Sequence, residues 1–191
     1  MAVRIEKKFQ VKEAIDQAWT LLRDPRNVAG CIPGAQITEA VDEQTFHGIV
    51  SVKVGPALAN YKGELHVDRR DDAAHEIEFT GKGLDVKGRG SASMKMTGRL
   101  SSLPEGGTEV ATVAEVNVVG ILAQFGGRMI NDVSDVMFKE FVKRFEEKLR
   151  EDPAAPGTPE AAAPADGIKI VSAAMKGAIR RMVHGMPEES Q

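Results

Sequence analysis

Near the end of the chain an apolar residue recurs at every fourth position: Ile121, Phe125, Met129, Val133, Met137, Phe141, Phe145 and Leu149. A ridge at that spacing predicts one amphipathic helix from Ile121 to about Arg150, and so long an apolar face needs a broad surface to cover it. The preceding sequence supplies a sheet. Residues 3–9 set Val3, Ile5, Lys7 and Phe9 against Arg4, Glu6 and Lys8, the alternation of a half-buried strand. A short helix is expected from about Lys12 to Arg23, with Ala14, Ile15, Ala18, Trp19 and Leu22 at helical spacing. Asp24-Pro25 stops it and can begin another short helix. From about Ala35 to Val119 the pattern reads as about six strands, broken at Asp42-Glu43, Gly55-Pro56, Asp71-Asp72 and Pro104 to Gly107. Such short connections imply an antiparallel meander. The expected class is α+β with a helix-grip arrangement, in which a curved antiparallel sheet wraps a long C-terminal helix around a core or a ligand cavity.

Strand parity bears on which of the two it is. The inward positions read Phe46, Gly48, Val50, Val52, then Ala57, Ala59, Tyr61, Gly63, Leu65, Val67, then Ile77, Phe79, Gly81. Ala92 and Ala114 continue the run of small residues beside Met94, Met96, Val110, Val116 and Val118. A close-packed interior fills such positions with larger groups, so small ones under a helix leave room. The competing explanation is that Gly and Ala serve strand bends and close helix contact.

The chemistry-bearing residues argue against catalysis and metal binding. His47, His66, His75 and His184 share no metal-ligand spacing, and the first three sit at outward parity. Asp71-Asp72 falls in a turn and Glu146-Glu147 on the wet helix face, where charges keep a surface solvated. The stretch from Gly81 to Gly90 lacks the strand-to-helix context of a phosphate loop and reads as a flexible strand connection. Gly126-Gly127 inside the expected helix costs about 1 kcal/mol per residue relative to Ala, which close approach of a ligand or strand would explain. The single cysteine, Cys31, excludes an internal disulfide and reads as a small buried hydrophobe. With a formal net charge of -3 there is no overall basic field for nucleic acid. The N-terminal residues carry no apolar signal run and no stretch is long enough to span a bilayer, so a cytoplasmic protein is expected.

The C-terminal part departs from this composition. Residues 151–166 are rich in Pro and Ala and predict a flexible linker after a domain of residues 1–150. Residues 167–185 predict a basic amphipathic helix capped by Asp166. Ile168, Val171, Met175, Ile179 and Met182 share one face, Lys169, Lys176 and Arg180 the other, and Arg181 lies at its edge. That pattern suits reversible binding at an anionic membrane surface, the inner face of the cell membrane; docking on a protein is the other reading.

Several motifs in order carry a resemblance. Asp24-Pro25 through Cys31-Ile32-Pro33-Gly34, Val54-Gly55-Pro56 with Tyr61-Lys62-Gly63, and Gly120 through Gly126-Gly127-Arg128-Met129-Ile130 resemble the carbon monoxide dehydrogenase CoxG family, over about residues 1–150. One departure is Leu84-Asp85-Val86-Lys87, where many members carry an aromatic residue. The resemblance implies a START-like (SRPBCC) fold that encloses hydrophobic ligands, and an accessory role, without catalytic residues, beside a molybdenum hydroxylase-type dehydrogenase. A dehydrogenase feeding a respiratory chain must meet a quinone whose isoprenoid tail cannot cross water unaided. The function expected is therefore binding of a quinone such as menaquinone and its shuttling between membrane and enzyme. The alternatives are a membrane recruiter or assembly factor without a lipid ligand, and an enzyme of the polyketide-cyclase kind. Residues expected to touch the ligand are Phe46, Tyr61, Leu65, Phe79, Met94, Met96, Val116, Leu122, Phe125 and Met129.

Overall fold

The computed structural model describes residues 1–151, so all but the first residue of the expected linker, and the whole of the expected amphipathic helix, lie outside the described residues. Glu151 itself belongs to the last helix. The elements run β1 (Ala2–Val11), α1 (Ile15–Leu22), α2 (Pro25–Cys31), β2 (Ala35–Ala40), β3 (Thr45–Val54), β4 (Ala57–Asp71), β5 (Glu76–Asp85), β6 (Gly90–Ser102), β7 (Thr108–Gly120), a 3₁₀ turn (Ile121–Phe125) and α3 (Gly126–Glu151). All strand pairs are antiparallel, in a seven-stranded sheet of order β1-β7-β6-β5-β4-β3-β2. Hairpins join β2 through β7 in sequence. The two short helices carry the chain from β1 to the opposite edge, which lets the sheet fold around α3.

Local chemistry accounts for the breaks. Asp24 caps α2 by accepting a hydrogen bond from the Arg26 backbone N–H at 2.9 Å, and Pro25 takes the first helical position, where its missing N–H costs nothing. Asp42 accepts from the N–H groups of Gln44 and Thr45 to turn β2 into β3. At the β4–β5 turn, Asp71 accepts from Ala74 N–H while Asp72 accepts from the indole N–H of buried Trp19 at 2.8 Å. Asp72 therefore ties α1 to the hairpin, a role beyond the solvated charge expected of it. His75 also departs from its expected outward strand position. It sits in that turn with φ 51° and meets the Trp19 ring edge-on, with centroids 5.5 Å apart.

Two apolar clusters close the two ends of the grip. In one, Phe145 stacks on Phe141, and both stand edge-on to Phe9 of β1, with Leu100, Val110 and Trp19 completing the packing. Burial of a side chain such as Phe145 stabilises by about 1.5–3 kcal/mol. An ion pair between Lys7 and Asp135 adds a polar tie between β1 and α3. The other cluster gathers Val54, Ala59, Tyr61, Val118, Leu122 and Ile130 where α3 begins.

The expected continuous helix from Ile121 is corrected. Gly126 adopts φ 75° and ψ 165°, which separates the 3₁₀ turn from α3. That backbone region is essentially glycine's own. Gly126 is therefore a joint between two elements, and neither glycine weakens the middle of a helix.

Candidate ligand cavity

Between the two clusters α3 meets the sheet along β1 but stands off its middle strands, leaving a cavity of about 530 Å³. That lies within the range of small-molecule sites, roughly 300–1,000 Å³. Leu65, Met94, Met96 and Val116 face α3 from the middle strands yet keep intermediate solvent exposure, as side chains around a hollow do. Ile130, Val133, Ser134, Met137, Phe138 and Phe141 of α3 form the opposite wall, and Val28 and Ile32 border it on the α2 side. Three thioethers among the wall groups, Met94, Met96 and Met137, suit an apolar guest of irregular outline.

The small inward residues divide between the two explanations offered for them. Gly48 and Gly63 pair with each other across β3 and β4. A Cβ on Gly63 would collide with the Lys82 carbonyl oxygen, and one on Gly48 would approach the Gln36 carbonyl oxygen at 2.7 Å. Those two glycines permit close backbone approach. Gly81 and Gly83 differ, because a Cβ there would meet ordinary neighbours: Met94 and Leu65 at 3.5 and 3.7 Å, or the Tyr61 side chain at 3.4 Å. Both line the cavity.

Of the residues expected to touch a ligand, Tyr61, Leu65, Phe79, Met94, Met96, Val116 and Leu122 line this one cavity. Phe46, Phe125 and Met129 do not. Phe46 faces inward but is consumed in the cluster around Phe145, at 5% exposure. Phe125 lies on the 3₁₀ turn, its ring 3.8 Å from where a Cβ of Gly55 would stand, and helps close that end. Met129 points away and is 37% exposed.

Tyr61 brings a polar group to this wall. Its ring is 7% exposed, and its Oη is buried with no hydrogen-bond partner among the described residues. Beside it on β5, Asp85 is a buried carboxylate that nothing in the sequence pattern singled out. Its oxygens accept from Arg89 Nε at 2.9 Å and Arg89 Nη2 at 3.0 Å, and from the backbone N–H groups of Asn60, Lys87 and Arg89. The Arg89 guanidinium above all, with these N–H groups, holds the Asp85 carboxyl well below the ordinary carboxylate range, against the opposing effect of burial. The stretch from Gly81 to Gly90 is thus a strand end and a clamped turn, where a flexible connection was expected. An Asp four residues before an Arg, bracketing Gly88, was the available clue. Leu84 and Val86 flank Asp85 on the solvent side, at 68% and 59% exposure.

Lys7, Glu64 and Lys82 are the charged residues on the cavity's border, and Lys7 is paired with Asp135. Burial pushes the Cys31 thiol up to about 11, which suits a packing role. Among the described residues no group of three or more His, Cys, Asp or Glu is placed to hold a metal ion. No helix among them is long and apolar enough to cross a membrane.

Comparison with known proteins follows the fold. The model of the carbon monoxide dehydrogenase CoxG family matches residues 8–150. No curated protein matches the chain. Among solved structures, a conserved protein from Geobacillus kaustophilus is 18% identical, covering 78% of this chain and 95% of its own, with a TM-score of 0.69. A START superfamily protein from Mycobacterium smegmatis is 11% identical, covering 78% and 97%, with a TM-score of 0.53. The ZhuI aromatase/cyclase from Streptomyces sp. R1128 is 13% identical, covering 83% and 100%, with a TM-score of 0.51. At these identities the likeness concerns the fold, which is START-like.

Proposed function

We propose, from the premise that this chain belongs to the carbon monoxide dehydrogenase CoxG family, that it is an accessory protein of a CO dehydrogenase and carries an apolar ligand. The observation that supports the reading is the cavity of about 530 Å³, walled mainly by aliphatic, aromatic and thioether side chains. A molecule burying several such contacts gains roughly 1.5–3 kcal/mol from each large side chain, enough to offset the cost of being ordered.

The ligand proposed is a quinone such as menaquinone, and the partner a molybdenum hydroxylase-type dehydrogenase. Electrons leaving such an enzyme enter a membrane pool whose carriers have long isoprenoid tails, and a protein that shields the tail removes the penalty of moving it through water. The role requires no reaction on the carrier, so no catalytic residue is assigned. Membrane contact is assigned to Ile168, Lys169, Val171, Met175, Lys176, Ile179, Arg180, Arg181 and Met182, all beyond the described residues. Four Lys/Arg side chains near an anionic leaflet contribute on the order of 1 kcal/mol each. The protein would then be cytoplasmic and peripheral to the inner face of the cell membrane.

Organic extraction of the purified protein followed by mass spectrometry tests the ligand. A stoichiometric isoprenoid quinone supports the carrier; a protein that stays empty, and takes up no quinone from vesicles, would leave the recruiter or assembly reading. Vesicle sedimentation tests the membrane contact. Full-length protein should pellet with anionic vesicles, and a variant with Lys169, Lys176, Arg180 and Arg181 changed to Glu should stay in the supernatant.

A further inference from the structure

Trp19 and Tyr61 are the chain's single tryptophan and single tyrosine, the two aromatic rings with a donor to place when buried. Trp19 gives its N–H to Asp72 at 2.8 Å. Tyr61 has no such partner, and its Oη is the one buried side-chain nitrogen or oxygen among the described residues left without one. A buried hydroxyl with nothing to bond is costly, and Phe would serve equally well if the position only had to be apolar.

The surroundings hold the Tyr61 ring at one end of the cavity. Tyr61 sits opposite Val50 on β3 and Asp85 on β5. Its side chain leans over Gly83, where a Cβ would stand 3.4 Å from the Tyr61 Cβ and 3.7 Å from Cδ1. Val54, Val118, Leu122 and Ile130 pack the same end of the cavity. The nearby Asp85 carboxylate accepts five hydrogen bonds from Arg89, Lys87 and Asn60 and none from Tyr61. Burial first, then the Asp85 charge, raises the phenol above its ordinary value, so it stays protonated and able to donate.

We infer that Tyr61 Oη is the hydrogen-bond donor for the polar head of the cavity's ligand, which carries a carbonyl-type acceptor at one end of an otherwise apolar body. This rests on the reading of the cavity as a ligand site and adds the residue that holds the ligand's head and the direction in which the ligand lies. The head lies against Tyr61, Val54 and Leu122, and the body runs toward Phe79, Met96 and Phe141 at the other end. A pure hydrocarbon or an unsubstituted acyl chain lacks the acceptor and leaves Oη unpaired.

Two probes of matched shape test this: 2-methyl-3-prenyl-1,4-naphthoquinone and 2-methyl-3-prenylnaphthalene, which lacks both carbonyl oxygens. Their equilibrium binding is measured on the full chain and on Tyr61→Phe. The parent's quinone-to-hydrocarbon affinity ratio should exceed that of Tyr61→Phe by roughly three- to tenfold, the worth of one net hydrogen bond. Tyr61→Phe should bind the hydrocarbon as the parent does. The variant removes only an unpartnered hydroxyl, so its ligand-free thermal stability should equal or exceed the parent's, and a lower one would place the hydroxyl in the fold's own bonding and overturn the inference. Equal quinone binding by parent and variant would overturn the role of Tyr61 while leaving the apolar cavity as read. If the parent bound neither probe, the ligand-carrier reading would fall, and this inference with it.

Discussion

Arg89 grips Asp85 through both Nε and Nη2, at 2.9 and 3.0 Å, and makes a further Nη2 contact of 2.9 Å with the Leu58 carbonyl. One side chain thereby fixes the β5–β6 turn to the start of β4, beside the strand position that carries Tyr61.

Loss of that clamp should be costly and pH-dependent. A carboxyl whose folded value lies below its unfolded one contributes stability at pH above the ordinary carboxylate range, and the contribution fades as pH falls toward the folded value. Asp85→Asn should lower the melting temperature by several degrees at neutral pH, because Arg89 and three backbone donors lose a charged acceptor. Melts recorded down into the acid range should show the parent converging on the variant. A gap that stays constant with pH would mean the pair adds nothing through charge.

At the joint before α3, the two adjacent glycines should respond in opposite directions. Gly126 has φ 75° with nothing within 4 Å of a would-be Cβ, so Gly126→Ala carries only backbone strain, about 1–3 kcal/mol. Gly127 has ordinary helical geometry, and its Cβ would meet Val3 Cγ2 at 3.9 Å, so Gly127→Ala should stabilise by roughly 0.5 kcal/mol. Urea unfolding of both variants checks the pair, and equal effects would mean the joint is not where the backbone places it.

The strand half of this architecture was legible because side-chain parity has a period of two and four of the five hairpin turns, all but β5–β6, carried a recognisable turn signal. Asp42, Gly55-Pro56, Asp71 and Gly106-Gly107 mark the observed hairpins. The helix half misled at its start. A spacing of four advances about 40° beyond a full turn at each step, so over α3 the ridge from Met129 to Leu149 winds roughly 200° around the helix. Phe145 and Leu149 face inward at one end, and by Met129 the ridge has left the core. Phe46 shows a different limit: parity gives its direction, while only the packing at the closed end decides whether it meets a cavity or another side chain. Asp72 looked like surface charge, and Asp85 fell in a stretch expected to be a flexible connection, because their partners, Trp19 at one and Asn60 with Arg89 at the other, are set in place by the folded sheet.

Neighbouring positions on α3 separate the ridge from the true inward face. Met129→Ala should change stability by no more than about 0.5 kcal/mol and leave ligand uptake as in the parent, since the side chain is 37% exposed. Ile130→Ala should cost about 2–4 kcal/mol, because its side chain is buried against Tyr61, Val118 and Leu122 at the cavity end. Denaturant midpoints would decide it, and a larger loss at Met129 would restore the ridge as the inward face.

The two kinds of glycine offer the most direct test of whether the hollow is the working part of the molecule. Gly81 lies in β5 with a backbone any residue can adopt, and a Cβ there meets Met94, Leu65 and the Glu64 carbonyl oxygen at ordinary contact distance. Gly81→Val should therefore be tolerated, because strand propensity rises by up to about 1 kcal/mol and the added methyls project from a residue that lines the cavity. The same methyls occupy the volume a ligand needs, so affinity for a prenylated naphthoquinone should fall by roughly tenfold while the melting temperature holds or rises. Gly63→Ala is the contrasting change. Its Cβ meets the backbone of β5, which cannot give way, so the fold should lose stability with ligand present or absent. A Gly81→Val protein that is stable and still binds the quinone at parental affinity would show that the ligand sits elsewhere, whatever the volume between sheet and helix.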